Sequence, residues 1–258
     1  MLLVFLGGIS FLAIPAVVAQ EQSDEIPQFY FTRLMYTENT FRGRGGTLRN
    51  PGPYRCPEFG GGNFFPPQGY GWLTDSPGAD CKLMGAIHRM TGQSVYPNPN
   101  YMEILNPELF KYPYAYIVEP GQMYISDKEA ERLREYLLKG GFAIFDDFDG
   151  EQWNNFAAQM RRVLPEGRFV KLDDTHTVFD TFFRMKTIDF PDPRLGTHPT
   201  YFGIYENNDP ARRLMVIANY NADVAEYWEW SGSGLFPFDA SNEAYKLGVN
   251  YMVYGLTH

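Results

Sequence analysis

Residues 126–150 read SDKEAERLREYLLKGGFAIFDDFDG, and this stretch decides the fold. Ser126 and Glu129 have the spacing of a capping box, and the apolar residues after them keep a helical period up to Gly140. The glycine predicts the end of the helix, because it adopts the left-handed backbone at no steric cost. Residues 142–145 are too few and too apolar for a half-exposed strand, which indicates a central parallel strand. Three aspartates come directly after it: Asp146, Asp147 and Asp149.

The elements on either side of this stretch extend the same pattern. A helix is predicted at 153–164, so strand, helix, strand and helix alternate as in a βαβ unit. Further helices are predicted from Ser76 to Gly92 and from about Asn242 onward. Strands are predicted at 28–36, 94–96, 114–118, 168–172, 202–205 and 213–218. The sequence therefore predicts one α/β domain over residues 28–258. Its predicted architecture is a three-layer α/β/α arrangement, in which helices cover both faces of a mainly parallel sheet.

The composition and the first residues limit the partners and the compartment. A formal net charge of −9 excludes the basic footprint that nucleic acid or an anionic membrane surface requires. Residues 1–19 form an uncharged apolar run that ends in small residues, which indicates a signal peptide followed by a linker at 20–27. Retention of residues 2–19 as a membrane anchor is the first alternative, and a cytoplasmic protein is the second. Export predicts a periplasmic location.

The two cysteines allow two interpretations. Cys56 and Cys81 are 25 positions apart, a spacing that permits a disulfide in an oxidising compartment. A buried free thiol at Cys81, on a predicted helix, is the alternative. The sequence leaves this choice open.

Acidic residues follow several of the predicted strands. In an open α/β sheet, ligands bind beyond the carboxyl ends of the strands, so a ligand pocket is predicted there. Its candidate residues are Arg33, Trp72, Asp75, Glu119, Asp146, Asp147 and Asp223. The acidic turn itself has three interpretations. Asp147 or Asp149 caps the helix that starts near Glu151, the carboxylates form a ligand or acid–base site, or Asp146, Asp147 and Asp149 hold a divalent metal ion.

Other catalytic patterns are weak or missing from the sequence. His176 has acidic neighbours that would orient an imidazole, and it is a catalytic candidate beside Asp146 and Asp147. There is no HExxH zinc motif, no GxSxG nucleophile turn and no phosphate-binding glycine loop. Aromatic residues at 227–230, interleaved with glutamates, suit either a carbohydrate groove or ordinary core packing.

Four segments together resemble a known family. They are FYFTRLMY at 29–36, WLTDSPGAD at 72–80, GGFAIFDDFDG at 140–150 and NEAYKLGVNYMVYGLTH at 242–258. They are similar to the domain-of-unknown-function 4159 family, and this resemblance implies a flavodoxin-like fold of the class I glutamine amidotransferase type. It also implies an exported or membrane-associated bacterial protein. Those amidotransferases carry a cysteine after the strand equivalent to 142–145. Asp146 and Asp147 stand there instead, which argues against thiol chemistry, and the resemblance adds His258 as a further catalytic candidate.

Three functions are consistent with these patterns. The first is a ligand-binding or accessory module of the envelope, with a small molecule or an envelope protein as its partner. The second is a hydrolase of a glycan or small amide that uses an aspartate pair or an aspartate-bound divalent metal. The third is a scaffold that binds a partner protein.

Overall fold

The structure is a computed structural model, and it describes residues 28–37, 54–61, 71–192 and 194–258. The predicted signal peptide at 1–19, the linker at 20–27 and most of the irregular segment between the first strand and the first helix lie outside these residues.

Seven strands form one sheet in the order β2-β1-β3-β4-β7-β6-β5. The five strands β2, β1, β3, β4 and β7 pair in parallel, each with its neighbour in the sheet. Strand β6 pairs antiparallel with β7, and β5 pairs antiparallel with β6 at the edge. Their bounds are β1 Thr32–Met35, β2 Asn100–Glu103, β3 Tyr114–Val118, β4 Phe142–Phe148, β5 Val170–Leu172, β6 Thr200–Tyr205 and β7 Leu214–Tyr220. The predicted mainly parallel sheet is confirmed, whereas the amidotransferase-like assignment stays a prediction.

Helices pack on both faces of the sheet. Helices α1, α4 and α5 share one apolar core with the sheet, and α2 and α3 share the other. Their bounds are α1 Gly78–Thr91, α2 Asp127–Leu138, α3 Gln152–Val163, α4 Val224–Glu229 and α5 Phe238–Thr257. In β4, Phe142 and Ile144 face the first core, while Ala143 and Phe145 face the second. Burial on both faces explains why this strand is an unbroken apolar run.

The decisive stretch folds largely as its sequence predicts. Ser126 and Glu129 form a reciprocal capping box at the start of α2, and Gly140 has a φ of +112° just after the helix. Strand β4 differs from the prediction because it continues to Phe148. Asp146 and Asp147 therefore lie within the strand, and only Asp149 follows it.

Three short elements also differ from the sequence prediction. Strand β2 and helix α4 were not predicted, since four and six residues are too few to establish a hydrophobic period. The strand predicted at 94–96 consists of a single bridge between Val95 and Phe29.

A disulfide joins Cys56 to Cys81 and so ties the segment before α1 to the helix itself. Both cysteines are buried, and the amide of Cys56 also bonds to the carbonyl of Pro97 at 2.9 Å. Disulfides persist mainly in oxidising compartments, so this bond favours a location outside the cytoplasm. Within the ranges described above, no helix has the length and apolar character needed to cross a membrane.

Replacing both cysteines by serine is expected to lower the free energy of unfolding by about 3 kcal/mol, because the unfolded chain gains loop entropy. Urea denaturation of the wild type and of the Cys56→Ser, Cys81→Ser variant measures the difference. Adding a reductant should destabilise the wild type and leave the variant unchanged. Equal midpoints for all four samples would show that the bond does not contribute to stability.

Candidate functional site

Three aspartates meet at the carboxyl edge of the parallel strands. Asp75 lies in the connection between β1 and α1, Asp147 lies in β4, and Asp223 follows β7. One carboxylate oxygen from each lies within 4.8 Å of the other two. These three residues are called the acidic site below. Their place at the strand ends is the one at which open α/β sheets bind ligands.

Asp75 is held by its backbone and by a buried arginine. Its φ is +61°, a left-handed value that is uncommon for a residue with a side chain. Nη1 of Arg33 donates to the carbonyls of Trp72 at 3.2 Å and of Thr74 at 2.8 Å, which fixes the turn just before Asp75. Oδ2 of Asp75 is buried and has no hydrogen-bond partner among the described residues. A buried carboxylate oxygen without a partner is costly, so this atom is a candidate ligand atom.

A bulge in β4 determines where the Asp147 side chain points. The pairing of β4 with β7 shifts register between Phe145 and Phe148, and Asp147 has a φ of +58°. Strict alternation would place Asp147 on the same face as Phe145. Phe148 occupies that face instead, in the core under α2 and α3. The extra residue thus brings the Asp147 carboxylate to the edge of the sheet, as bulges do beside many active sites.

Asp223 has a structural contact in addition to its place in the acidic site. It is the N-cap of α4, and its Oδ1 accepts a hydrogen bond from the amide of Glu226 at 3.0 Å. Its Oδ2 lies 3.9 Å from Nη2 of Arg194.

Asp146 is fully engaged in holding α4 against the sheet. Its carboxylate accepts one hydrogen bond from the hydroxyl of Tyr116 at 2.5 Å and another from the amide of Asn219 at 2.9 Å. It also accepts from the backbone amides of Val224 and Ala225, both at 3.1 Å. Burial raises the pKa of Asp146, and these four donors limit the rise. Its oxygens are therefore occupied, and it is a structural residue rather than a free ligand.

The acidic site carries more negative charge than its surroundings compensate. Burial, reinforced by neighbouring carboxylates, raises the pKa values of Asp75, Asp147 and Asp223 well above the usual aspartate range. Arg194 lies beside two of them, with its Nη2 3.4 Å from Oδ1 of Asp147 and 3.9 Å from Oδ2 of Asp223. The Arg194 side chain is 58% exposed, and it is shared with Asp192 at 3.6 Å. Such a loose, solvated contact contributes little energy, so Arg194 offsets only part of the charge.

Raised carboxylate pKa values make the stability of the cation-free chain depend on pH. The folded state binds protons more tightly than the unfolded state, so stability should fall as pH rises above about 4 and through the folded pKa values. Glu229 contributes to the fall up to about pH 7, the value to which burial and Glu226 raise its pKa. His176 acts in the opposite direction, because burial lowers its pKa.

Urea midpoints measured with a chelator at about pH 5.5 and about pH 8 check this expectation. Asp147→Asn removes one carboxylate of the acidic site and leaves His176 unchanged. The urea midpoint of this variant should therefore fall less than that of the wild type between these two pH values. A wild type whose midpoint rises or stays constant over this range would contradict the expected charge repulsion.

The structure places the other predicted pocket residues differently. Arg33 is fully buried and paired with Asp80, so it contributes to the site by fixing the turn before Asp75. Trp72 packs edge-on against Tyr101 in the core. Glu119 follows β3, and its charge adds to that felt by Asp147. Their role in ligand binding stays a prediction.

Asp149 stands apart from the acidic site, and the capping interpretation of the acidic turn is wrong. Glu151 is the N-cap of α3, and no side chain among the described residues caps that helix. The reason is the longer β4, which keeps Asp147 in the sheet. Of the three predicted metal ligands, the structure brings only Asp147 into a group that could hold an ion.

The two histidine candidates lie in other parts of the fold. His176 begins a 3-10 turn between β5 and β6, where its Nδ1 accepts from the amide of Val178 at 3.1 Å. His258 stacks on Tyr254 after α5, with ring centroids 4.3 Å apart. A catalytic role for either residue stays a prediction.

Two glutamates on α4 join the site although the sequence did not single them out for it. Glu226 and Glu229 form a second group with Asp75, again with carboxylate oxygens within 4.8 Å of one another. The signal for them is the spacing D-x-x-E-x-x-E from Asp223 to Glu229, which puts the three acids on one helical face. The nearby Tyr227 and Trp228 are buried in the core, so they do not form an exposed groove.

The composition of the acidic site suits a hard divalent cation. Carboxylate oxygens are the ligands that Mg²⁺, Ca²⁺ and Mn²⁺ prefer, and neither cysteine is available because both are in the disulfide. The partnerless Oδ2 of Asp75 fits such an ion, because coordination would compensate its burial. Asp75, Asp147 and Asp223 are therefore the residues that could hold it.

The comparisons with known proteins give a family without an assigned activity. A comparison with curated proteins gave no match. Residues 67–256 match the family described as Domain of unknown function (DUF4159). The matched range contains the acidic site, helices α1 to α4 and all but the last residue of α5, but it does not include the resembling segment at 29–36. Since it spans most of the sequence, the chain belongs to the DUF4159 family.

Proposed function

We propose that this domain is a binding module of the bacterial envelope whose ligand is a divalent cation held by Asp75, Asp147 and Asp223. The observation that carries the proposal is Oδ2 of Asp75, a buried carboxylate oxygen without a hydrogen-bond partner among the described residues. It belongs to a carboxylate group in which Asp147 and Asp223 are buried, and the Arg194 guanidinium beside these two is loosely placed and exposed. A divalent ion would compensate both the repulsion and the missing partner.

The location in the envelope is part of the proposal. The apolar run at 1–19 has the pattern of a signal peptide, and the disulfide is typical of an oxidising compartment. The family resemblance implies an amidotransferase-like fold, and such a fold without a nucleophilic cysteine agrees with a binding or accessory role. A cysteine-dependent hydrolysis is ruled out because the chain has no free thiol.

Thermal unfolding of the full chain tests the proposal. After treatment with a chelator, the protein is melted alone and with Mg²⁺, Ca²⁺ or Mn²⁺. An ion that binds the folded state at a hundredfold excess over its Kd stabilises by about 2.7 kcal/mol, which corresponds to a rise in Tm of about 5 °C or more. Asp149→Asn serves as the matched control and should respond like the wild type. The absence of a shift with all three ions would refute the proposal.

A further inference from the structure

The acidic site has a neighbour that shares one of its residues. Asp75 belongs to the acidic site and also to the group that it forms with Glu226 and Glu229, called the second carboxylate group below. Asp75 is therefore common to both groups, and its buried Oδ2 has no hydrogen-bond partner among the described residues. We infer that the second carboxylate group holds a second divalent cation and that Asp75 bridges the two ions. This inference rests on the proposed function.

Carboxylates outnumber cationic side chains around the two groups. Seven carboxylates act on one another here: Asp75, Glu119, Asp146, Asp147, Asp223, Glu226 and Glu229. In the described part of the chain, two cationic side chains adjoin them, Arg194 and Lys82. Arg33 also acts on Asp75, but its charge is already paired with Asp80. The described carboxylates therefore outnumber the cationic side chains beside them, which favours the binding of cations between them.

The contacts of Lys82 leave the second carboxylate group without a direct cationic partner. Its ammonium group donates to the backbone carbonyls of Glu229 at 2.6 Å and Ser231 at 3.2 Å. It therefore fixes the end of α4 and does not bind a carboxylate in the second carboxylate group. The oxygens of Glu226 and Glu229 form no ion pair with any described residue.

Gly78 makes room for the second carboxylate group. A Cβ atom at this position would lie 3.1 Å from both Cγ and Oε1 of Glu229, so any side chain would press on the carboxylate. The Glu229 side chain is thus accommodated between α4 and the start of α1, close to Asp75. Two oxygen-ligated cations joined by one carboxylate are the arrangement that two-metal sites use.

Equilibrium dialysis with Mn²⁺ alone, combined with electron paramagnetic resonance, tests the inference. The wild type is expected to bind two ions per chain and to give the spectrum of spin-coupled manganese. Glu226→Gln, Glu229→Gln should bind one ion and give an uncoupled spectrum. The control is Glu131→Gln, Glu135→Gln on the surface of α2, which should retain two ions. Chelator-treated melts of each variant verify that it folds.

The possible outcomes separate this inference from the proposed function. One ion bound by the wild type overturns the second site and leaves the first in place. Two ions that persist in Glu226→Gln, Glu229→Gln, or two ions without spin coupling, also overturn the bridged arrangement. No bound ion refutes the inference and the proposed function together.

Discussion

Arg33→Met is expected to lower the free energy of unfolding by about 3–5 kcal/mol, because it leaves the Asp80 carboxylate buried without its cation. Both side chains are fully buried, with Nε 3.2 Å and Nη2 2.5 Å from the two oxygens of Asp80. The carbonyls of Trp72 and Thr74 would also lose their donor. Urea denaturation measures the loss.

A double variant separates the ion pair from simple loss of packing. The variant Arg33→Met, Asp80→Asn removes the uncompensated charge. The amide oxygen of the asparagine can still accept the hydrogen bond from the hydroxyl of Ser76. The double variant should therefore be less destabilised than Arg33→Met alone. Arg212→Met, on an exposed arginine, is the control and should change stability by less than about 0.5 kcal/mol. An Arg33→Met variant as stable as this control would contradict the role given to the ion pair.

Asp147→Asn is expected to change binding and stability in opposite directions. Loss of a ligand carboxylate should weaken the affinity for Mn²⁺ by at least about 100-fold. Mutation of residues that only hydrogen-bond to metal ligands already weakens metal affinity by up to about this factor. Without the ion, removing one buried charge from the acidic site should stabilise the fold by about 1 kcal/mol. Calorimetric titration and urea denaturation with a chelator measure the two effects.

The matched control is Asp149→Asn, the same chemical change two positions away and outside the acidic site. It should alter neither the affinity nor the stability. If Asp147→Asn binds the ion as tightly as the wild type, or if Asp149→Asn weakens it equally, the assignment of the ligands is wrong.

The regular elements could be predicted because their signals are local. The capping box at Ser126, the glycine stop and the apolar run of β4 depend on neighbours in sequence, and these signals correctly predicted a mainly parallel sheet between helices. The edge of the sheet that gathers acidic residues was also predictable, because parallel strands end on the same side. Strand β2 and helix α4 were missed because they are too short to show a period.

The composition of the acidic site could not be predicted in the same way. The bulge that turns Asp147 depends on the pairing of β4 with β7, which no local pattern reveals. Asp146 looked equivalent to Asp147, yet alternation points it to α4, where four donors occupy it. The approach of Glu226 and Glu229 to Asp75 depends on how α4 packs against α1, so it required the structure.

The most direct measurement is an anomalous difference map from a crystal of the chain grown with Mn²⁺. A bound ion should give a peak with carboxylate oxygens of Asp75, Asp147 and Asp223 within about 2.6 Å, the longest distance usual for hard divalent cations. A map without a peak among these three residues, at an ion concentration that saturates any observed binding, would contradict the central claim that the acidic site holds a divalent cation.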